Sequence, residues 1–168
     1  MHIALRQIII ALLLAAGFTT SAAAQEEARI SDLSALDKQF MQQQRDALED
    51  IAARNLGRSF SGNKQNDLEI LQQLLDRKLV RADQTRELQA MGVIMGDLLA
   101  SELNLHWVIY EDKVGRSRAL RYRDSDEYLF PITMISRRRE ADNRAPVEEI
   151  YRKAADIMAQ SQPALPFQ

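Results

Sequence analysis

Apolar side chains recur at three- and four-residue steps up to Asn104 and at two-residue steps beyond it, so the chain is expected to be helical first and then to form strands. From Ile30 to Leu56 the positions Leu33, Leu36, Phe40, Ala47 and Ile51 predict a long amphipathic helix, stopped by Gly57. Residues 59–65 carry no period and read as a connector. Asn66 with Glu69 forms a capping-box-like start for a second helix with a stripe of Leu68, Leu71, Leu75 and Leu79, ending near Lys78. Asp83 is placed to cap a third helix through Leu88, Met91, Met95, Leu98, Leu99 and Leu103, with Asn104 as its left-handed terminator. Gly92 and Gly96 lie one turn apart on that helix, at a cost of about 1 kcal/mol each relative to Ala. Close approach of the helix to a sheet would offset this, whereas a membrane dimer face is excluded by Asp97 and Glu102.

Beyond Asn104, the runs Leu105 to Glu111 and Arg116 to Arg123 flank the turn residues Asp112, Lys113, Val114 and Gly115. This hairpin pairs Glu111 with Arg116, Tyr110 with Ser117 and Trp107 with Leu120. A third strand is expected from Tyr128 to Ile135, with Tyr128, Phe130, Ile132 and Met134 on one face and Pro131 confining it to an edge or a bulge. Pro146 opens a last helix carrying Val147, Ile150, Tyr151, Ala154, Ile157 and Met158. The fold class is α+β: N-terminal helices, a three-stranded antiparallel meander packed on the third helix, and a C-terminal helix.

The chain start adds a compartment. Arg6, the apolar run Ile8 to Phe18 and the small residues up to Ala24 form a secretory signal, cleaved after Ala24, whose apolar run is shorter than the about 20 residues needed to span a bilayer. The expected location is periplasmic or secreted, with no transmembrane segment after cleavage. The domains then read as 1–24 signal, 25–65 helical extension and connector, 66–160 α+β domain and 161–168 frayed tail. With 46% hydrophobic and 27% charged residues, 6 Gly and 4 Pro, disordered and low-complexity classes are excluded. There are 0 Cys, so neither a disulfide nor a lipid-bearing N-terminal cysteine is available. Removing the signal takes away one arginine and no acid, leaving the mature chain slightly more acidic than the formal charge of −2 for the whole.

Candidate chemistry is sparse. His106 is the one histidine left after signal removal and the imidazole is a common acid/base and metal-binding group, but on a strand it stands about 20 Å from Asp112. No serine lies in a strand-turn-helix elbow, and phosphate-loop glycines are absent. No catalytic residue, metal ligand or cofactor is assigned. The arginines carry more information: Arg116, Arg118, Arg121 and Arg123 lie on the second strand and Arg137, Arg138 and Arg139 follow the third. Arginine suits bidentate capture of carboxylate or phosphate. Alternation sends Arg116 and Arg118 to one face, and in a strand running past Ile135 it would place Arg137 and Arg139 on one side and Arg138 on the other. Arg116, Arg118, Arg137 and Arg139 are therefore the expected anion-binding set. Arg138 is expected to be structural, paired with Glu140, Glu111 or Asp97. An exported, acidic chain is a poor match for nucleic acid. The expected function is a non-catalytic binding or interaction module for an anionic ligand or envelope partner; the alternative is a small hydrolytic enzyme around His106 and the Glu111/Asp112 carboxylates.

Met91-Gly92 with Gly96, His106-Trp107-Val108, Tyr110-Glu111-Asp112, Gly115-Arg116, Phe130-Pro131 and the run Met134 to Arg138 with Glu140 together resemble the bacterial family called domain of unknown function 3806, over roughly residues 79–157. The resemblance implies a small, often exported protein and supplies no catalytic residues. Asn104 stands where the family pattern has Gly, which suits the same left-handed cap. Gly92, Gly96, Asn104, Trp107, Gly115 and Pro131 are expected to be structural.

Overall fold

Over residues 28–160, which the computed structural model describes, the chain forms strand β1 (Arg29–Asp32), helices α1 (Ala35–Leu56), α2 (Lys64–Asp76) and α3 (Thr85–Leu103), strands β2 (His106–Asp112), β3 (Gly115–Arg121) and β4 (Tyr128–Leu129), and helices α4 (Ile132–Glu140) and α5 (Val147–Gln160). The expected signal and tail lie outside the described residues. The strands make one antiparallel sheet in the order β1-β2-β3-β4. The class is α+β, but with four strands rather than three.

Where the period is unambiguous, the elements form as the pattern predicts. Asn104 takes the left-handed conformation (φ 52°) and ends α3, and Gly57 (φ 61°) ends α1. The hairpin has the expected register, Glu111 opposite Arg116, Tyr110 opposite Ser117 and Trp107 opposite Leu120, with a two-residue loop. Asp112 closes that loop by accepting the N–H groups of Val114 and Gly115 at 2.8 and 3.1 Å.

Several expectations are corrected. Ile30 belongs to β1, opposite Tyr110, not to a helix. The helix starts at Ala35 because Ser34 and Asp37 make a reciprocal capping box. The buried stripe of α1 is Asp37, Met41, Gln44, Leu48 and Ala52, so Leu36 is left 76% exposed and Phe40 partly so. Helix α2 starts at Lys64 on an Asn63 cap, freeing Asn66 and Asp67 to tie down the connector: Asp67 accepts the N–H groups of Ser61 and Gly62 at 2.9 Å. Asp83 does not cap α3; it pairs with Arg81, and α3 begins after Gln84 with no side-chain cap. The third strand stops at Leu129. Pro131 sits in the right-handed helical region (φ −64°, ψ −33°) and starts α4, so Ile132 and Met134 are helical and Ile135 is the residue driven into the core. In α5, Ile157 is 57% exposed while its expected neighbours on the stripe are buried.

Helix α3 is the centre of the packing. From Leu88 to Leu99 every residue except Gln89 and Asp97 is buried, as expected of a helix apolar all round. It lies against α1, α2, α4 and α5. Gly92 and Gly96 do mark a close approach, but mainly to the start of α4 instead of to the sheet alone. A Cβ on Gly92 would stand 2.5 Å from the carbonyl oxygen of Ile132 and 2.6 Å from that of Pro131, and one on Gly96 would overlap the Trp107 ring. Trp107 is fixed in turn, its Nε1–H donating to Asp97 at 3.0 Å. Gly92→Ala meets backbone that cannot yield, so it should destabilise by about 2–3 kcal/mol through overpacking. Gly96→Ala meets a ring that can tilt and should cost less. Urea denaturation of the two variants checks both the loss and its order.

Candidate functional site

The site begins at the capping box of α1. Asp37 is buried, and its carboxylate takes two N–H donors from Arg116 (Nη1 3.0 Å, Nη2 2.6 Å) and one from Arg118 (Nη2 2.8 Å), besides the hydroxyl and backbone N–H of Ser34. Arg116 and Arg118 can share it because residues two apart on a strand point the same way. The Arg116 guanidinium, with the Ser34 groups, holds the Asp37 carboxyl well below the usual carboxylate range against the opposing effect of burial. Asp37 in turn raises Arg116. Arg118 lies over the Phe40 ring at 4.5 Å, and its Nε is buried without a hydrogen-bond partner. Two guanidinium groups thus face one carboxylate.

This cluster forms one wall of a groove of about 590 Å³. Four successive β3 residues, Gly115 to Arg118, line it on one side, and Ile132, Thr133 and Arg137 of α4 face them. Phe40 and the edge-to-face pair Tyr110/Phe130, with ring centroids 5.5 Å apart, supply aromatic surface. The N-terminus of α4, uncapped by any side chain, adds its positive end to the same side. Of the nearby carboxylates, Asp37 is bonded to the arginines, Asp112 is spent on the hairpin loop, and Glu111 stands across the ladder from Arg116 and adds to its stabilisation as a cation. The groove is cationic, part aromatic and open, which suits an anionic group attached to an apolar body.

Three of the four arginines expected to bind, Arg116, Arg118 and Arg137, come together here; Arg139 does not. Because residues 137–139 are helical, Arg137 and Arg139 lie about 200° apart instead of on one strand face. Arg139 lines a different cleft with Lys78, Arg81 and Arg144, donates to the Ala145 carbonyl at 3.3 Å, and is lowered in pKa by its burial. Arg138 pairs with no acid of the expected set: its Nη1 donates to the Met134 carbonyl one turn back at 2.7 Å. Asp97 is held by Arg45 and Trp107, and Glu140 accepts from Thr85. His106 and Asp112 occupy opposite ends of β2, with His106 exposed across from Arg121. Arg121 closes the following turn by donating to the Ser125 and Asp124 carbonyls at 2.6 and 2.8 Å. Among the described residues no group of three or more His, Asp or Glu is placed to hold a metal ion, and no helix is long and apolar enough to cross a membrane. Sequence reasoning missed Asp37, Phe40 and Thr133. The Ser34-x-x-Asp37 spacing was readable, but its two arginine partners are 79 and 81 residues away.

Residues 67–151 match the family described as Domain of unknown function (DUF3806). This chain belongs to that family. The matched segment contains Arg116, Arg118 and Arg137, while Asp37 and Phe40 come from the N-terminal part before it. Among solved structures, a crystal structure of a protein from Bacteroides thetaiotaomicron VPI-5482 has the same fold: TM-score 0.71 at 19% identity, covering 79% of this chain and 49% of that one. The DUF3806 chain thus spans about half the length of that structure. No curated protein matches the sequence.

Removing the shared carboxylate tests the construction. Asp37→Asn should destabilise by about 2–3 kcal/mol, reduced from the full value for a broken buried pair because Arg116 is half exposed. The unfolded Asp37 titrates near about 4 and the folded one lower, so its contribution is complete above that pH and is lost as pH falls through the folded value. Denaturation across pH should show the wild type and the variant converging in acid.

Proposed function

We propose that this member of the DUF3806 family is a non-catalytic binding module of the cell envelope that holds an anionic group in the groove between β3 and α4. The supporting observation is the gathering of Arg116, Arg118 and Arg137 from two separate elements around one open groove, where three guanidinium groups meet the bonded carboxylate of Asp37 and the cross-strand charge of Glu111. Charge-assisted bonds to guanidinium are the strong ones, and a planar donor fork favours carboxylate or phosphate. Phe40, Tyr110 and Phe130 offer surface for an attached apolar or aromatic part. The basic end, apolar run and Ala-rich cleavage pattern at the chain start support an envelope setting.

Titration of the isotope-labelled protein with 3-phenylpropionate, which joins a carboxylate to an aromatic ring, tests the reading. The amides of Arg116, Arg118, Thr133 and Arg137 should shift. Arg137 is exposed, so Arg137→Glu should leave folding intact and weaken binding by about tenfold or more, the equivalent of one charge-assisted bond. Arg139→Ala should leave binding unchanged. Shifts confined to the Arg139 cleft would overturn the assignment.

A further inference from the structure

The groove is also the open edge of the sheet. Asp112 and Gly115 flank a two-residue loop and are therefore a hydrogen-bonded pair; alternation along the ladder makes Tyr110/Ser117, Val108/Ala119 and His106/Arg121 the other hydrogen-bonded pairs. Arg116 and Arg118, between them, turn their backbone N–H and C=O groups away from β2. On that side β4 pairs with Leu120 and Arg121 and then ends, because Pro131 turns the chain into α4. Among the described residues no strand pairs with Arg116 or Arg118 there. Residues 115–118 all line the groove, and a groove seen by successive residues of both strand faces runs along a strand's edge.

We infer that this edge takes an extended acidic segment of a partner protein, which adds to β3 as a further strand and sets carboxylates against Arg116, Arg118 and Arg137. The inference rests on the anion-groove reading and names its occupant. A lone carboxylate would leave the two backbone donors and two acceptors of Arg116 and Arg118 unused, whereas an added strand satisfies them. Because the two arginines are two residues apart on one face, the matching segment carries acids at alternate positions. A second copy of this chain is a poor occupant: pairing β3 with β3 would juxtapose arginines, and β1, the other edge, offers one acid in Arg29–Asp32.

Hydrogen exchange with four five-residue probes tests this: acetyl-Val-Glu-Val-Glu-Val-amide, its lysine counterpart, and two versions of the first, one methylated on the backbone nitrogens of both glutamates and one on that of the central valine. The glutamate peptide should slow exchange of the Arg116 and Arg118 amides by about tenfold or more, equivalent to gaining one bond each, with less change at Ser117 and Ala119, already bonded to β2. N-methylation of the two glutamates, whose N–H groups face β3, should abolish the effect, and N-methylation of the central valine should not. The lysine peptide should not bind. If the methylated peptides bind equally and still shift the groove, strand addition is overturned while the anion groove stands. If neither the glutamate peptide nor 3-phenylpropionate shifts the groove, the groove reading itself fails. Binding of the lysine peptide, or protection of Arg116 and Arg118 that rises with protein concentration alone, would overturn the acidic occupant.

Discussion

The packing around the central helix α3 turns on how closely the chain at Pro131-Ile132 approaches it at Gly92. There is no room there for a single Cβ. The contact is backbone against backbone, and helix propensity lost at two glycines, about 1 kcal/mol each, is recovered as dispersion contact along a helix buried on all sides. One turn further, Gly96 admits Trp107, and Asp97 beside it holds the indole N–H while taking a bidentate bond from Arg45 of α1. The same short stretch of α3 therefore positions α4, the first residues of β2 and the middle of α1.

Asp37 is the second fastening, and it works by different physics. It joins the N-terminal helix to the hairpin through charge rather than packing. Exposed pairs such as Arg54/Asp50, with side chains 73% and 67% accessible, contribute under about 1 kcal/mol because water competes for both partners. Asp37 is shielded, anchored by its own cap, and shared by two guanidiniums, so its loss leaves two neighbouring cations on one strand face without their common counter-charge. The price of desolvation falls mostly on the carboxylate, since Arg116 keeps nearly half of its surface in water.

Local chemistry was legible in the sequence, and long-range competition was not. The terminators Gly57 and Asn104 and the hairpin register follow from backbone constraints acting within a few residues, and these appear as expected. The stretch 128–135 carried two patterns at once: alternation at Tyr128, Phe130, Ile132 and Met134, and a proline able to begin a helix. Which prevails depends on Gly92, some forty residues earlier, whose bare backbone leaves a seat that only a turning chain can fill. The N-terminal strand was unreadable for a similar reason. Four residues, Arg29–Asp32, have no distinctive period, and they become a strand because β2 presents an unpaired edge. The arginine set failed only where the strand assignment failed: Arg116 and Arg118 share a face as alternation requires, while helix geometry separates Arg139 from Arg137.

Arginines beside an open strand edge have a simpler use, guarding it against unwanted pairing. A guard works best as a mobile charge in water. Arg118 is not of that kind: its side chain is only 23% exposed, it stacks on Phe40, it shares a buried carboxylate, and its Nε is enclosed without a partner. Ordering and desolvating a guanidinium is costly, and a charge kept only for repulsion would gain nothing from it. Fixing Arg116 and Arg118 against Asp37 does, however, hold a donor array in place before a ligand arrives, which lowers the entropy lost on binding. On the proposed reading, the burial of Arg118 suits recognition better than protection at this edge, which Pro131 leaves open by ending β4 early.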